Sequence, residues 1–323
     1  MNTKTSMKLT YLLGLVAVTL MALPGPAPAQ DLVKEALGGF PTQTIRLEFS
    51  SPAKLRGLPN YASLRQRYIG PRLRKLVDAL GQLGIREEDI SGLVMGWQPG
   101  STEMALYGFA TGSFNAQAIA ESAEQRNMPT TPIGGNQAYC LEAGVAGTCV
   151  VVLQNSVGAF GSLTALTSML QAREGQIPSL GSDKRIATLV AGANQEAPIW
   201  GVAIGPAVGD WFRGWMPNQG NIKLDWGKVF GDVNSLTYSV MATDNVTLGL
   251  KMDCKSAESA ASLRQVLEGL KLVQQMAWES QNPGKPNPFQ AMDVGLEGHQ
   301  VSLNLTTGYA ELELASGAAG TGN

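Results

Sequence analysis

The residues best placed to do chemistry in this chain are few. Cys140 and Cys149 lie in "YCLEAGVAGTCVVV" and are two of three cysteines. A metal would need about four ligands, and no C-x-x-C or histidine pair lies nearby. A two-residue turn at Gly144-Val145 places Cys140 directly opposite Cys149, at a non-hydrogen-bonded position where a disulfide fits. The third, Cys254, is expected to be buried and inert. The chain has one histidine, His299, in "LEGHQVSLNL". That is little for a catalytic triad or a zinc site, and it reads as a hairpin-turn residue. Lys54 to Lys75 carries Lys54, Arg56, Arg65, Arg67, Arg72, Arg74 and Lys75 without an acid, with Tyr61 and Tyr68 among them. Arg65 with Arg72, and Arg67 with Arg74, share helical faces if a helix passes Pro71. These four arginines are the candidate contact for an anionic partner, a plain solvated face being the alternative.

Other constellations read more simply. "GDWFRGWMP" sets Trp211 and Trp215 on one side of a short helix that Pro217 ends, as core filling or as an aromatic patch. Trp97 and Trp200 sit in strand patterns and are expected in the core. The glycines of "SVGAFGSLTAL" lack a dinucleotide or phosphate-loop fingerprint, so Gly158 and Gly161 are expected to serve strand-helix packing. Glu87, Glu88 and Asp89 are consecutive acids without the loop spacing of a cation site. No G-x-S-x-G, S-x-x-K or H-E-x-x-H occurs, and neither metal nor cofactor is expected.

Elements must position these residues. "TIRLEFS" (44–50) alternates as a strand. Leu73, Leu76, Val77, Leu80 and Leu83 recur with helical spacing up to Gly84. Two strands flank Pro99-Gly100, and a helix capped by Ser113 runs to about Arg126. After "TPIGGN" come the cysteine hairpin, the strand "VGAFG" and a helix capped by Ser162. The pattern then recurs: alternation at Leu236, Tyr238 and Val240, a turn at Asp244-Asn245, alternation from Val246 to Met252, and a helix from Ser256 to about Ser280. Placing Asp89 on Asp232 aligns Leu93 with Leu236. "QNPGKPNPFQ" is a loop, 293–305 a hairpin, and "YAELELA" is undecided between strand and helix. The fold class is therefore α+β, with antiparallel sheets covered on one face by helices in two pseudo-repeated units.

The first residues have the form of a secretory signal peptide: Lys4 and Lys8, the apolar run Tyr11 to Leu23, then Ala27-Pro28-Ala29, with cleavage expected before Gln30. As a helix that run spans roughly 20 Å, short of the roughly 30 Å hydrocarbon core, and no later stretch suits a transmembrane helix. The expected organisation is a signal peptide (1–29), a first α+β unit (30–205), a second (206–315) and a flexible tail (316–323). With 24 basic and 26 acidic residues, a global attraction to nucleic acid is not expected. "GIREEDI" before a strand pair, and "APIWGVAIG", resemble stretches in uncharacterised exported bacterial proteins built from repeated α+β units. The resemblance implies architecture, export and a bacterial envelope setting; it implies no site residues. The leading expectation is an exported, non-enzymatic binding or assembly component, its partner an anionic envelope component or another protein. The alternatives are a carrier of a small apolar ligand and a hydrolase of envelope material using two carboxylates.

Overall fold

The computed structural model describes residues 28–58, 60–62, 65, 77–78, 80–100, 104–141, 147–215 and 225–312. Eight helices and twelve strands are named among them. In chain order the helices are α1 (Pro28–Gly39), α2 (Pro52–Arg56), α3 (Ala116–Gln125), α4 (Leu163–Arg173), α5 (Lys184–Gly192), α6 (Pro206–Trp215), α7 (Trp226–Val229) and α8 (Ala257–Gln281). The strands are β1 (Arg46–Ser50), β2 (Ile90–Gln98), β3 (Ala105–Gly112), β4 (Thr130–Ile133), β5 (Asn136–Cys140), β6 (Cys149–Gln154), β7 (Val157–Gly161), β8 (Ile199–Ile204), β9 (Val233–Ala242), β10 (Val246–Cys254), β11 (Met292–Glu297) and β12 (Gln300–Thr307).

All twelve strands form one sheet, in the order β11-β12-β10-β9-β8-β1-β2-β3-β7-β6-β5-β4. Every pairing is antiparallel. The fold is α+β, and the repetition seen in sequence is one of topology. From β1 outward the first half runs β1-β2-β3-β7-β6; from β8 outward the second runs β8-β9-β10-β12-β11. Each half has a strand, a strand pair, a helix (α3 or α8) and a hairpin that folds back on the pair. The first half inserts the β4-β5 hairpin, and the two halves meet where β1 pairs β8.

Side-chain alternation assigns the cores. The first face of the sheet carries Leu47 and Phe49 of β1 with their partners Val202 and Trp200 of β8. In the first half it is covered by α1, α4 and α5, which bury Leu32, Leu166, Met169 and Ile186 against Val94, Tyr107 and Phe109. The second face carries Arg46 and Glu48. There α8 buries Leu263 and Leu267 over Leu236, Leu250, Met252 and Leu303, and α6 adds Trp211 and Phe212. In the first half, α3 covers the same second face with Ile119 and Ala123 over Val150 and Ala110. The expected single covered face holds from β9 outward; β8 and the first half are covered on both, α5 lying over β8 on the first face.

Local signals explain the termini. Ser162 caps α4 as expected, and Ser256, where the second helix was expected to begin, caps α8; their hydroxyls accept from the amides of Ala165 and Ser259. For α3 the cap is Asn115, not Ser113: Asn115 Oδ1 accepts from the Ala118 amide, while Ser113 donates its own amide to the carbonyl of Asp89. "TTPI" is strand β4, and Gly134-Gly135 turn it into β5 with φ of 50° and 73°. Residues 309–312 are helical, and Gly84 ends the preceding helical turn with φ of 75°.

Candidate functional site

The charged cluster most withdrawn from water lies on the second face, where the halves join. Glu48 of β1, Gly201 of β8 and Tyr238 of β9 occupy one cross-strand row. Gly201 has no side chain, so the Tyr238 ring lies across β8; a Cβ there would strike the phenol and the Leu47 carbonyl. Tyr238 Oη thereby donates to Glu48 Oε2 in a short hydrogen bond. Arg46 Nη2 donates to the same oxygen at 2.7 Å, and Arg46 Nε donates to Tyr238 Oη at 3.3 Å. The Arg46 guanidinium stacks 3.9 Å from the Trp97 ring centre. The Arg46 and Glu48 side chains are 16% and 15% exposed.

This network holds its protons. Burial, and then the Glu48 charge, push the Tyr238 phenol well above its usual range. Burial pulls the Arg46 guanidinium down, but Tyr238 and Glu48 outweigh it and leave it raised. A guanidinium, a carboxylate and a phenol that satisfy one another make a lock between the two halves. Sequence reasoning placed Trp97 in the core; it is half-buried beneath Arg46. The lock's members lie far apart in the chain, and only the alternation of Arg46 and Glu48 against Leu47 and Phe49 hinted at it.

The basic stretch folds onto the acids that follow it. Arg65 is ion-paired with Glu87, which also accepts from the Tyr61 hydroxyl. Burial, and then that hydrogen bond, push the Tyr61 phenol up to about 12. Arg56 donates to the carbonyls of Glu87 and Ile90 at 2.8 and 3.0 Å. Asp89 accepts from Arg86, which holds its carboxyl below the usual range. The acid triplet is thus met by arginines. Arg67, Arg72 and Arg74 lie outside the described residues.

Cys140 and Cys149 are disulfide-bonded at the end of β5 and β6, in the register expected from sequence. Leu141 donates to Thr148 at 2.8 Å, which makes the cysteine pair the non-hydrogen-bonded one. The turn 142–146 itself lies outside the described residues. Cys254 is buried, and burial with nearby Asp253 and Asp232 pushes its thiol up. His299 sits in the β11-β12 turn, 64% exposed, with Nε2 3.0 Å from Asp253 Oδ1.

Trp211 is core, 4.8 Å from the Tyr238 ring. Trp215 ends α6, and its side chain is outside the described part. Trp200 is fully buried against Phe49. Gly161 packs against Tyr107 and Ala165, the close approach expected of it. Among the described residues no group of three metal-ligating side chains converges, and no helix is long and apolar enough to cross a membrane. Two open depressions lie at equivalent places in the halves, beside the first turns of α3 and α8.

Leu272 and Met276 of α8 are 58% and 70% exposed, with Val266 and Val273 on the same outward side. This helix carries apolar residues toward the sheet and also away from it.

No protein-family model matches the chain, and no curated protein matches it in sequence. Its fold is similar to solved structures of TP0453, a bacterial protein from Treponema. Crystal form III of that protein aligns with a TM-score of 0.51 and 11% identity, over 87% of this chain and 98% of the other. Form I aligns at 0.49 and 11%, over 87% and 96%. At such identity the likeness is one of fold, shared across nearly the whole of that bacterial protein.

Proposed function

We propose that this protein is an exported, non-catalytic component of the bacterial envelope that works by binding or assembly. The observation that carries the reading is the Cys140–Cys149 bridge. Such bonds persist in oxidising compartments and are rare in the cytosol. Two further features support it. The buried residues described in α1, Leu32, Val33 and Ala36, all follow the cleavage site expected before Gln30 and would be kept after removal of residues 1–29. The seam lock spends its charged groups on one another, which suits a rigid scaffold better than proton transfer.

The proposed partner is an anionic envelope component or another protein. The arginine-rich segment is its proposed contact, through Arg65, Arg67, Arg72 and Arg74; of these Arg65 is paired with Glu87. The test is the mass and fractionation of the protein from its own cells. A chain beginning at Gln30, two hydrogens lighter than its reduced form and found outside the cytosol, is expected. A reduced chain retaining residues 1–29 in the cytosol overturns the reading.

A further inference from the structure

Strand β11 ends the sheet, and among the described residues nothing pairs with its outer side. Its counterpart in the first half is β6, and there the same side is taken by β5, antiparallel, with Ala138 on Val151 and Tyr139 on Val150. The first half covers this position with an inserted hairpin. The second half leaves it open.

The open edge is built to pair with itself. Gly298 and His299 form a two-residue loop, and Glu297 faces Gln300 across it. Counting from such a loop, hydrogen-bonded and non-bonded pairs alternate, so Met292, Val294 and Leu296 turn their N–H and C=O groups outward. Their side chains share the second face, opposite Leu305, Leu303 and Val301. Leu296 is 38% exposed. An antiparallel pairing centred on Val294 sets Met292 against Leu296 of the second copy, and Asp293 against Gly295. Moving the centre to Asp293 opposes two aspartates; moving it to Gly295 opposes Asp293 and Glu297. Like charges directly opposite are destabilising, so one register is selected.

We propose that two copies of this chain join through β11, antiparallel about Val294, and so continue the sheet from one molecule into the next. The joining repeats what the molecule does at its own centre, where β1 and β8 bring the halves together antiparallel. α8 packs over β11 on the second face, so a two-fold axis through the sheet sets the two α8 helices side by side above the seam. Asp293 and Glu297 then discourage other strands and other registers, a common device at sheet edges. The inference goes beyond export and partner capture and does not depend on them.

Sedimentation equilibrium of the purified oxidised protein tests it, alongside two variants. The wild-type chain is expected at twice its monomer mass. Leu296→Lys, at an exposed side chain, is expected to raise the dimer dissociation constant roughly tenfold or more, with an unchanged circular-dichroism spectrum. The double variant Asp293→Cys/Gly295→Cys is expected to form a covalent dimer on oxidation, because those positions oppose each other at the distance of a non-hydrogen-bonded pair. A wild-type chain that stays monomeric up to its solubility limit overturns the proposal. So does a dimer that survives Leu296→Lys and does not cross-link; if that variant fails to fold, the cross-link alone decides.

Discussion

The two halves of the sheet share a strand order and differ in how many faces they bury. In the first half, β2 reads "ISGLVMGWQ" and β6 reads "CVVVLQ", apolar on both sides, and helices lie on both faces. In the second half, β9 alternates Leu236, Tyr238 and Val240 with Ser235, Thr237 and Ser239. The serine and threonine side faces water, joined by Lys251, Asn304 and Thr306 of the neighbouring strands. One topology therefore supports two architectures, and the choice is written in the period of the strands: continuous apolar runs call for two covers, clean alternation for one.

The sharpest way to break that contrast is at Phe109 of β3, fully buried on the first face. Phe109→Ala is expected to lower unfolding free energy by about 3–5 kcal/mol. On the uncovered stretch of that face, Asn304→Ala is expected to change it by no more than about 0.5 kcal/mol. Chemical denaturation of both variants measures the difference, and comparable losses would mean that the second half hides a cover on that face.

Next in size is the seam. Glu48→Ala strands the Arg46 guanidinium in a place largely shut from water, at an expected cost of about 2–4 kcal/mol. A double-mutant cycle with Tyr238→Phe should return a coupling above about 0.5 kcal/mol, because both donors share Glu48 Oε2. Replacing Cys140 and Cys149 together by alanine is expected to cost about 2–3 kcal/mol, the loop-entropy value for a short closed loop, read as a lower melting temperature. The loss should match that of the wild type under reductant.

Alkaline pH acts on buried phenols in both halves, Tyr107 and Tyr238. Burial pushes the Tyr107 phenol of the first half up to about 12, against Thr44, whose hydrogen bond lowers it. An unfolded tyrosine titrates near about 10. The stability linked to Tyr107 is thus complete below about pH 10 and is lost as pH rises toward about 12. Tyr107→Phe should reduce that alkaline loss in urea titrations across the range, leaving the part due to Tyr61 and Tyr238. Smallest of all, Leu272→Ser and Met276→Gln on the outward side of α8 should alter stability by no more than about 0.5 kcal/mol.

Much of the fold was legible because it rests on local chemistry. Ser162 and Ser256 announce their helices, the cysteine register follows from counting outward from a turn, and the Asp89-to-Asp232 offset finds the start of β2 and β9. Ser113 misled because Asn115, closer to the helix, is the better-placed acceptor. "TTPI" carried no strand signal, because its proline and the glycines after it hide a short edge strand, the setting in which a sheet tolerates proline. Of the seam lock, only the alternation of Arg46 and Glu48 along β1 was legible. Arg46 and Tyr238 are 192 residues apart and meet only because β8 returns between β1 and β9 with a glycine at the crossing.

The central claim is that the halves are one cooperative sheet and not two units resting together. Native-state hydrogen exchange of β2, β1, β8 and β9 tests it most directly. The slowest amides are expected in an unbroken band across β1 and β8, with protection falling only toward β4 and β11. A trough of protection at the β1-β8 pairing, with slow exchange on either side, would contradict it.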